Sequence, residues 1–233
     1  MCGRYASTRH DSDLLRDFAV ASIVDEPPEP SWNVAPTQLA RVVLERIVND
    51  APDRQLRSLK WGLVPSWAKD LRIGSKLINA RSETVLEKPA FKAAAVKRRC
   101  IIPADGYFEW MPLEDPKAKK IPMYLCGDGI LGFAGLYELR PDAEDRDRWL
   151  WTYTILTCTT QDALGYIHDR SPVIVPPDLQ SAWLDPTMTD PDTVRELLAQ
   201  IPPPVLNTYE VSTEVNSPNN NGPQLIEPVS RTT

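Results

Sequence analysis

The sequence predicts an α+β protein with one domain, in which a mainly antiparallel, barrel-like β-core is surrounded by peripheral helices. From residue 100 to residue 158, short runs rich in aromatic and β-branched residues alternate with Gly, Pro and Asp, a pattern typical of short antiparallel strands. Helical signals lie mostly outside these runs, which favours helices packed around a sheet or barrel. No repeat and no linker divides the 233 residues, so 1–233 are expected to form one domain, with a loop-rich C-terminal tail over about 216–233.

The N-terminal half is expected to mix helices and strands. Its predicted elements are a helix over 12–20, strands over 41–47 and 56–63, a turn at Asn49-Asp50 with Pro52-Asp53, and a helix over 82–99. The first helix is amphipathic and has Asp11 or Ser12 as its predicted N-cap. Pro89 is expected to restart this helix after a kink, because proline has no N–H to donate.

The C-terminal half is expected to be richer in strands. Its predicted strands are 100–103, 106–110, 122–126, 131–137, 151–158, 172–175 and 206–212, its helices are 160–167, 179–184 and 191–201, and its surface loops are 112–121 and 140–149. The last helix has the clearest signal, because Asp190 can cap it and Pro191 suits the first helical position.

The composition is that of an ordinary globular protein, with 42% hydrophobic and 25% charged residues. No apolar run is long enough for a membrane span, and charges near the N-terminus argue against a signal peptide. The four cysteines are far apart and only two histidines are present, which favours reduced thiols, a cytoplasmic location and no metal site.

Positive charge is concentrated in one part of a chain whose formal net charge is −6. Between Arg57 and Cys100 there are eleven Lys and Arg but three acids, so this window carries +8 and the remainder carries −14. Two interpretations stay open at this point: a phosphate-binding footprint, or the solvated face of a helix.

Cys2 has a chemical option that an internal cysteine lacks. Because residue 2 is small, removal of Met1 by an aminopeptidase is expected, which would leave an amine and a thiol on adjacent carbons. Such a 1,2-aminothiol condenses with an aldehyde to a five-membered thiazolidine. A nearby α-ammonium or Arg4 is expected to lower the pKa of the thiol. The alternative is a cysteine without a role near a frayed terminus.

Three further side chains suit proton transfer or orientation, and each has a structural alternative. Asn79 offers an amide for the Cys2 amine or a substrate hydroxyl, or it stabilises a helix start. Glu109, between Phe108 and Trp110, is a general acid or base if it is buried, or a solvent-facing strand residue. His168 transfers protons near neutral pH, or it caps carbonyls at a helix end.

Two residues suit contact with nucleic acid. Trp67 lies in a Pro-containing turn, where an exposed indole can stack on bases, although a core position is the usual alternative. Arg81 can pair with a phosphate through two N–H groups, or it is an ordinary surface arginine.

Taken together, six blocks of sequence and a short match near the end resemble the SOS response-associated peptidase (SRAP) family, in the family's order and over almost the whole chain. The blocks are Met1-Cys2-Gly3-Arg4-Tyr5, Trp32-Asn33-Val34-Ala35-Pro36-Thr37, Trp61-Gly62-Leu63-Val64-Pro65 with Trp67, Ile78-Asn79-Ala80-Arg81-Ser82-Glu83-Thr84, Pro103-Ala104-Asp105-Gly106-Tyr107-Phe108-Glu109-Trp110 and Ile167-His168-Asp169-Arg170, and Val211-Ser212 is the match near the end. Such a combination is far more specific than any one short motif.

The resemblance implies an SRAP-like fold and a protein that recognises abasic sites in single-stranded DNA and crosslinks to them. On this interpretation Cys2 forms a thiazolidine with the ring-opened sugar aldehyde, Asn79 orients the cysteine and the sugar, and Glu109 moves protons. His168 assists ring opening and contacts the phosphate. The family name also implies autocatalytic removal of residues before the cysteine. Since only Met1 precedes Cys2 here, an aminopeptidase would suffice.

The resemblance also implies the partners of the site. Arg4 and Arg81 are expected to contact phosphates, Trp67 to stack beside the lesion, and Asn33 to take part in DNA binding. Single-stranded DNA with an abasic site is the expected partner of a monomer. No cofactor and no membrane is implied, and the location is cytoplasmic, at the nucleoid in a bacterium.

One departure from the family pattern concerns its last block. A basic residue often follows the serine there, whereas this chain has Thr213 after Ser212. Two outcomes stay open: the phosphate contact is lost, or Ser217, Asn219 or Asn220 replaces it. Two other functions stay open: a cysteine peptidase or amidase, and a non-covalent reader of modified or single-stranded DNA.

Overall fold

The computed structural model describes residues 2–115, 117–142, 145, 148–160 and 166–229. Its strands are β1 (Arg4–Ser7), β2 (Ser22–Ile23), β3 (Ser31–Val34), β4 (Leu39–Val48), β5 (Ala51–Trp61), β6 (Asn79–Arg81), β7 (Arg99–Ala104), β8 (Gly106–Met111), β9 (Ile121–Cys126), β10 (Leu131–Pro141), β11 (Trp149–Thr159), β12 (Arg170–Pro172) and β13 (Asn207–Glu210). Its α-helices are α1 (Asp11–Asp17), α2 (Lys92–Lys97), α3 (Pro177–Leu184) and α4 (Pro191–Gln200). The predicted α+β class and single domain are confirmed.

A closed ring of five strands forms the centre of the fold. Strands β11, β10, β7, β4 and β5 pair in that order through antiparallel ladders. A short parallel pairing between β5 and β11, with Tyr153 beside Trp61, returns to the first strand. Closure removes unpaired sheet edges, which is the usual advantage of a barrel. The barrel-like core predicted from the sequence is therefore confirmed.

The β4–β5 hairpin shows how local sequence sets the strand register. Its two turn residues, Asn49 and Asp50, have φ angles of 50° and 62°. Asn and Asp tolerate this left-handed conformation, and a two-residue turn of this type matches the twist of antiparallel strands. The predicted turn is thus confirmed at Asn49-Asp50, but Pro52-Asp53 lies in β5 instead, where Ile47 pairs with Pro52.

A second, five-stranded sheet carries the N-terminus. Its order is β13, β9, β8, β1 and β3, and every neighbouring pair is antiparallel. The side chains of β1 and β8 alternate between two buried layers. Tyr5 and Tyr107 pack into the barrel core, whereas Ala6 and Phe108 pack against the C-terminal segment. Both faces of the N-terminal strand are therefore covered.

Side-chain alternation along the barrel strands divides the remaining core into an inner and an outer layer. Val42 and Leu44 point into the barrel, and Val43 between them packs outward with α1, α3 and α4. Period-two alternation in a sheet with helices outside produces this pattern.

The barrel interior is expected to dominate the stability of the fold. Phe133 is fully buried and lies edge-on to Tyr5 and Tyr107, with ring centroids 6.0 and 5.9 Å away. Phe133→Ala should lower the free energy of unfolding by about 3–5 kcal/mol in urea denaturation, because it leaves a cavity. Trp149→Ala is the control: its side chain is 54% exposed, so a change below about 0.5 kcal/mol is expected. Equal effects of the two changes would contradict this core.

The predicted helix over 82–99 is wrong in extent. Ser82–Thr84 forms one 3-10 turn, and α2 covers only Lys92–Lys97. A turn does resume after Pro89, since the Lys88 carbonyl accepts from the backbone N–H groups of Phe91 and Lys92, but regular α-helix begins only at Lys92. Arg99 is drawn into β7 because its guanidinium donates to the carbonyls of Trp183, Asp185 and Ala95.

Most of the other helix predictions hold in part. The chain begins α1 at Asp11 with His10 in the capping position, so the predicted cap at Asp11 or Ser12 is wrong. The Asp11 carboxylate instead accepts hydrogen bonds from the buried guanidinium of Arg41. The predicted cap of α4 is confirmed, since the Asp190 carboxylate accepts from the backbone N–H of Thr193 at 2.8 Å.

The remaining strand predictions shift by a few residues. Strand β12 covers Arg170–Pro172, ahead of the predicted 172–175, and an isolated bridge joins Ile174 to Phe133. The helix predicted over 160–167 falls largely on 161–165, which lie outside the described residues. Among the described helices, none is both long and apolar enough to cross a lipid bilayer.

Candidate active site

Cys2 lies in the interior, immediately before β1. Its exposed fraction is 0%, and it belongs to the barrel core with Tyr5 and Trp61. The Cys2 carbonyl accepts a hydrogen bond of 2.7 Å from Nδ2 of Asn79. Cys2 therefore does not lie at a frayed terminus, and its catalytic role stays a prediction.

The pKa of the Cys2 thiol is raised, not lowered. Burial is the main cause, and the negative charge of Glu109 adds to it. The terminal amine and a backbone contact with Arg4 act in the predicted direction, but burial outweighs both. The Arg4 guanidinium itself is bound to the C-terminal segment, with Nη1 2.8 Å from the Val215 carbonyl. The thiol is therefore protonated at neutral pH in this structure.

Glu109 is buried beside the N-terminal strand. It is 4% exposed, so the solvent-facing alternative is wrong. Sequence alternation correctly places Phe108 and Trp110 on the opposite face, but the C-terminal segment covers that face as well. Because β1 and β8 pair Arg4 with Phe108, the chain preceding Arg4 runs alongside Glu109. Burial raises the pKa of the Glu109 carboxyl, as expected for a general acid or base.

Asn79 begins β6, which pairs in parallel with β11 through Ile155. Its amide donates to the Cys2 carbonyl, so the side chain holds the cysteine and does not cap a helix. Within the described part of the chain, no donor reaches the buried Oδ1 of Asn79. A buried acceptor without a donor is costly, and an amine or hydroxyl placed there would satisfy it.

His168 is partly buried just before β12. Burial lowers the pKa of its imidazole, so the ring is neutral at pH 7. Its Nδ1 lies 3.0 Å from the backbone nitrogen of Arg170 and 2.9 Å from Oδ1 of Asp169. A neutral Nδ1 accepts from the Arg170 N–H, and this places the ring proton on Nε2. Protonation of the ring would transfer the Nδ1 contact to Asp169.

Arg170 fixes His168 relative to the strand that carries Asn79. At Thr157, β11 lies between Arg81 of β6 and Pro172 of β12. The Arg170 guanidinium crosses this point, donating to the Thr157 carbonyl and to both Glu83 carboxylate oxygens, at 3.1 and 2.9 Å. This ion pair helps hold the pKa of Glu83 at about 2, against the opposing effect of burial.

Glu109 and His168 share one small cavity of about 10 Å³, large enough for roughly one water molecule. Tyr107, Leu125 and Ile167 supply apolar walls. Asn79 is bonded to Cys2, the charge of Glu109 acts on the Cys2 thiol, and the cavity joins Glu109 to His168. The four predicted catalytic residues therefore lie in one neighbourhood.

Two of the predicted DNA contacts are open to solvent. Trp67 is 59% exposed, so it is a surface indole and not a core residue. Arg81 is exposed at the end of β6, and no hydrogen bond or ion pair holds its side chain among the described residues. Both remain predictions as DNA contacts.

The other predicted DNA contacts lie within a protein network. Arg4 donates to Asn33 Oδ1 at 2.8 Å, and Asn33 is only 2% exposed. The Ser217 carbonyl accepts from Asn33 Nδ2 at 3.0 Å, whereas Asn219 is exposed and its backbone N–H lies 3.4 Å from Ser217 Oγ. Asn220 donates from its side chain to the Glu214 carbonyl. The structure leaves their roles in DNA binding as predictions.

The basic window from Arg57 to Cys100 is partly structural. Arg57 pairs with Asp25, Arg98 pairs with Glu138, and the buried Arg99 binds three carbonyls. Two of these guanidinium groups are paired with carboxylates and the third is buried, which leaves fewer cations of this window to contact a phosphate.

Lys120 is the charged neighbour that sequence reasoning missed. It is exposed just before β9, which pairs with the strand of Glu109. Burial is the main influence on both neighbours: it raises the pKa of Glu109 and lowers that of His168. The positive charge of Lys120 has a smaller effect and lowers the pKa of each group. The sequence does show a lysine-rich run before a predicted strand, Lys117-Ala118-Lys119-Lys120. It does not show the β8–β9 pairing register that brings this run near Glu109.

Known proteins are similar to this chain in sequence and in fold. The family model described as SOS response associated peptidase (SRAP) matches residues 1–218. The abasic site processing protein YoqW of Bacillus subtilis is 44% identical over 97% of this chain and 99% of its own length. The abasic site processing protein HMCES of Gallus gallus is 29% identical, covering 98% of this chain and 78% of its own.

Two solved structures agree in fold. A protein from Bacteroides thetaiotaomicron has a TM-score of 0.80 at 24% identity and covers 98% of this chain and 100% of its own. A phage-related protein from Bordetella bronchiseptica has a TM-score of 0.70 at 31% identity, covering 90% of this chain and 94% of its own. Since the family model spans nearly the whole chain and the YoqW similarity is end to end, the chain belongs to the SOS response associated peptidase (SRAP) family.

Proposed function

We propose that this protein processes abasic sites in single-stranded DNA by forming a covalent thiazolidine crosslink through Cys2. The observation that carries the proposal is the 2.7 Å bond from Asn79 to the Cys2 carbonyl, which holds the cysteine close to the buried Glu109. The names of the relatives YoqW and HMCES as abasic site processing proteins support the same substrate.

The reaction begins once the peptide bond before Cys2 is cleaved, which frees its α-amine. The amine attacks the aldehyde carbon of the ring-opened sugar, and loss of one water molecule gives an imine. The thiol then adds across the C=N bond: sulfur binds the carbon, and its proton ends on nitrogen. The product contains all atoms of both reactants except that water.

The buried groups suit the proton transfers of this sequence. Glu109, with its raised pKa, can take a proton from the amine or the hemiaminal and return it to the leaving hydroxyl. A neutral His168 with its proton on Nε2 can donate a hydrogen bond to the sugar ring oxygen while the ring C–O bond breaks and the anomeric hydroxyl proton moves to that oxygen. The unfilled acceptor of Asn79 can bind the amine or a sugar hydroxyl.

The burial of Cys2 argues for this chemistry over a general cysteine peptidase. A peptidase needs a thiolate, and burial together with the Glu109 charge raises the pKa of this thiol. Imine formation uses the amine first, and a protonated thiol can add afterwards with its own proton. Foreign peptides are therefore poor substrates in this proposal.

The test is a denaturing gel after incubation with single-stranded DNA that carries one abasic site. We expect a slower band whose mass is the sum of protein and DNA, and no such band with the same DNA lacking the abasic site. Non-covalent binding of both DNAs, without any band surviving denaturation, would favour a non-covalent reader and overturn the proposal.

Binding of the DNA backbone is assigned to exposed cations, foremost Arg81. We expect Arg81→Ala to weaken binding of single-stranded DNA regardless of sequence. The slope of log affinity against log salt should fall in magnitude by about 0.7, as for one lost phosphate contact. Fluorescence anisotropy at several salt concentrations measures it, with the exposed α4 residue Arg195 changed to Ala as control. An unchanged slope would remove Arg81 from the interface.

A further inference from the structure

We infer that Arg4 and Asn33 are positioning residues that fasten the Cys2 strand to residues 213–221, and that they do not bind DNA. This segment is named the C-terminal clamp below. The inference rests on the proposed function, since it concerns the rate of the crosslinking step. It assigns to two residues a role different from the DNA contact that the sequence predicts.

Arg4 connects the N-terminal strand to the clamp. Its Nη1 donates to Asn33 Oδ1 and to the Val215 carbonyl, both at 2.8 Å, and Nη2 donates to the Asn216 carbonyl at 3.3 Å. Three oxygens from two distant parts of the chain thus surround one guanidinium. This fork-like geometry is one that Arg supplies and Lys does not.

Asn33 organises the clamp from within. Its Nδ2 lies 3.3 Å from the Val215 carbonyl, 3.0 Å from that of Ser217 and 3.0 Å from that of Asn220. Because Asn33 is 2% exposed, its side chain has no surface to offer a phosphate. Its amide nitrogen instead contacts three backbone carbonyls of the clamp, next to the site where Arg4 binds.

The clamp also reaches the strand of Glu109. The Trp110 indole donates from Nε1 to Asn216 Oδ1 at 2.6 Å, and the backbone N–H of Trp32 donates to Asn221 Oδ1 at 2.8 Å. Strands β1, β3 and β8 are therefore all tied to the same short segment. Val215 anchors it, being fully buried against Phe108.

This arrangement controls the relative position of nucleophile and base. Cys2 lies two residues before Arg4, the first residue of β1. Glu109 lies directly before Trp110, which the clamp also contacts. If the clamp loosens, both reacting groups lose a common anchor. A misplacement of about 1 Å can reduce a rate by about 100-fold, so the clamp should affect the chemical step strongly.

The test separates chemistry from binding by using two single-stranded DNAs. One carries a true abasic site and reports the crosslinking rate at saturating DNA. The other carries a tetrahydrofuran analogue without an aldehyde and reports the Kd and its salt dependence. Arg4→Ala, Arg4→Lys, Asn33→Ala and Asn216→Ala are compared with Arg81→Ala as the phosphate-contact reference and Arg195→Ala as the surface control.

We expect the Arg4 and Asn33 variants to crosslink about 10- to 100-fold more slowly at saturation, with the Kd and the salt slope for the analogue unchanged. Lys should fail to restore the rate at position 4, although it restores the charge. An Arg4→Ala variant with weakened Kd and a slope smaller by about 0.7, both restored by Lys, would identify a phosphate contact and overturn the inference.

Asn216→Ala distinguishes a slower reaction from a loss of folding. Asn216 is exposed, so its removal should leave the melting temperature almost unchanged while slowing crosslinking. If all clamp variants that remain folded crosslink at the wild-type rate, the inference is wrong even though the proposed function stands. A wild-type protein that fails to crosslink at all would instead refute the proposed function.

Discussion

Cys2→Ala should abolish the covalent product completely. Alanine keeps a free amine after processing, so an imine can still form, but without sulfur the ring cannot close. The imine hydrolyses back to the aldehyde and amine, and no band should survive denaturation. The matched control is Cys126→Ala. Cys126 is a partly buried free thiol on β9 that packs with Phe108 and Val215, on the face of the sheet away from the barrel core that contains Cys2.

The two cysteine variants should differ in chemistry while resembling each other in binding. Both should bind single-stranded DNA carrying the tetrahydrofuran analogue as the wild type does. A Cys2→Ala protein that still yields a stable crosslink would show that another nucleophile, such as a lysine amine, is responsible.

Glu109→Gln should slow crosslinking by about 10²- to 10⁴-fold, the range that general acid–base catalysis provides. Glutamine has nearly the same shape and can still form hydrogen bonds, but it cannot carry a proton between intermediates. Single-turnover rates on abasic single-stranded DNA measure the effect. A rate within about twofold of the wild type would remove Glu109 from the reaction.

The pH dependence of the wild type should reveal the same residue. Because burial raises the pKa of Glu109, the carboxylate form is gained at a higher pH than for an exposed glutamate. If it acts as the base, the rate should rise with pH through that raised pKa. In Glu109→Gln this limb of the profile should be absent.

The crosslinking rate should rise with pH, whereas the stability that Glu109 contributes to the fold should fall with pH. A carboxyl whose pKa is higher in the folded state stabilises the fold below its unfolded pKa, and this contribution is lost as the pH rises through the folded pKa. The melting temperature of the wild type should therefore fall relative to Glu109→Gln as the pH is raised from about 4 to 7. A difference independent of pH would contradict a raised pKa at Glu109.

Local signals in the sequence were sufficient for much of the fold. Asn49-Asp50 and the Asp190-Pro191 pair identify their turn and helix start, because their conformational preferences are strong and local. The helix over 82–99 was overestimated, because periodicity does not reveal that Arg99 is drawn into β7 by carbonyls of α3 and the residue after it. The β5–β11 closure likewise depends on pairing between distant residues.

The chemistry of the site was more predictable than its electrostatics. The family resemblance groups Cys2, Asn79, Glu109 and His168 as catalytic candidates, and the structure places them in one neighbourhood, while their roles stay predictions. The direction of the Cys2 pKa shift was wrong because sequence proximity to Arg4 says nothing of burial or of where the guanidinium points. The clamp could not be predicted, since the bonds of Arg4 and Asn33 to it join residues about 180 to 210 positions apart.

The most direct measurement is tandem mass spectrometry of the crosslinked protein after protease and nuclease digestion. We predict one modified peptide that begins at Cys2. Its added mass should equal the sugar-phosphate remnant less one water molecule, and fragment ions should place the addition on the first residue. A remnant located on a lysine, or on a peptide that still extends before Cys2, would contradict the thiazolidine and with it the proposed function.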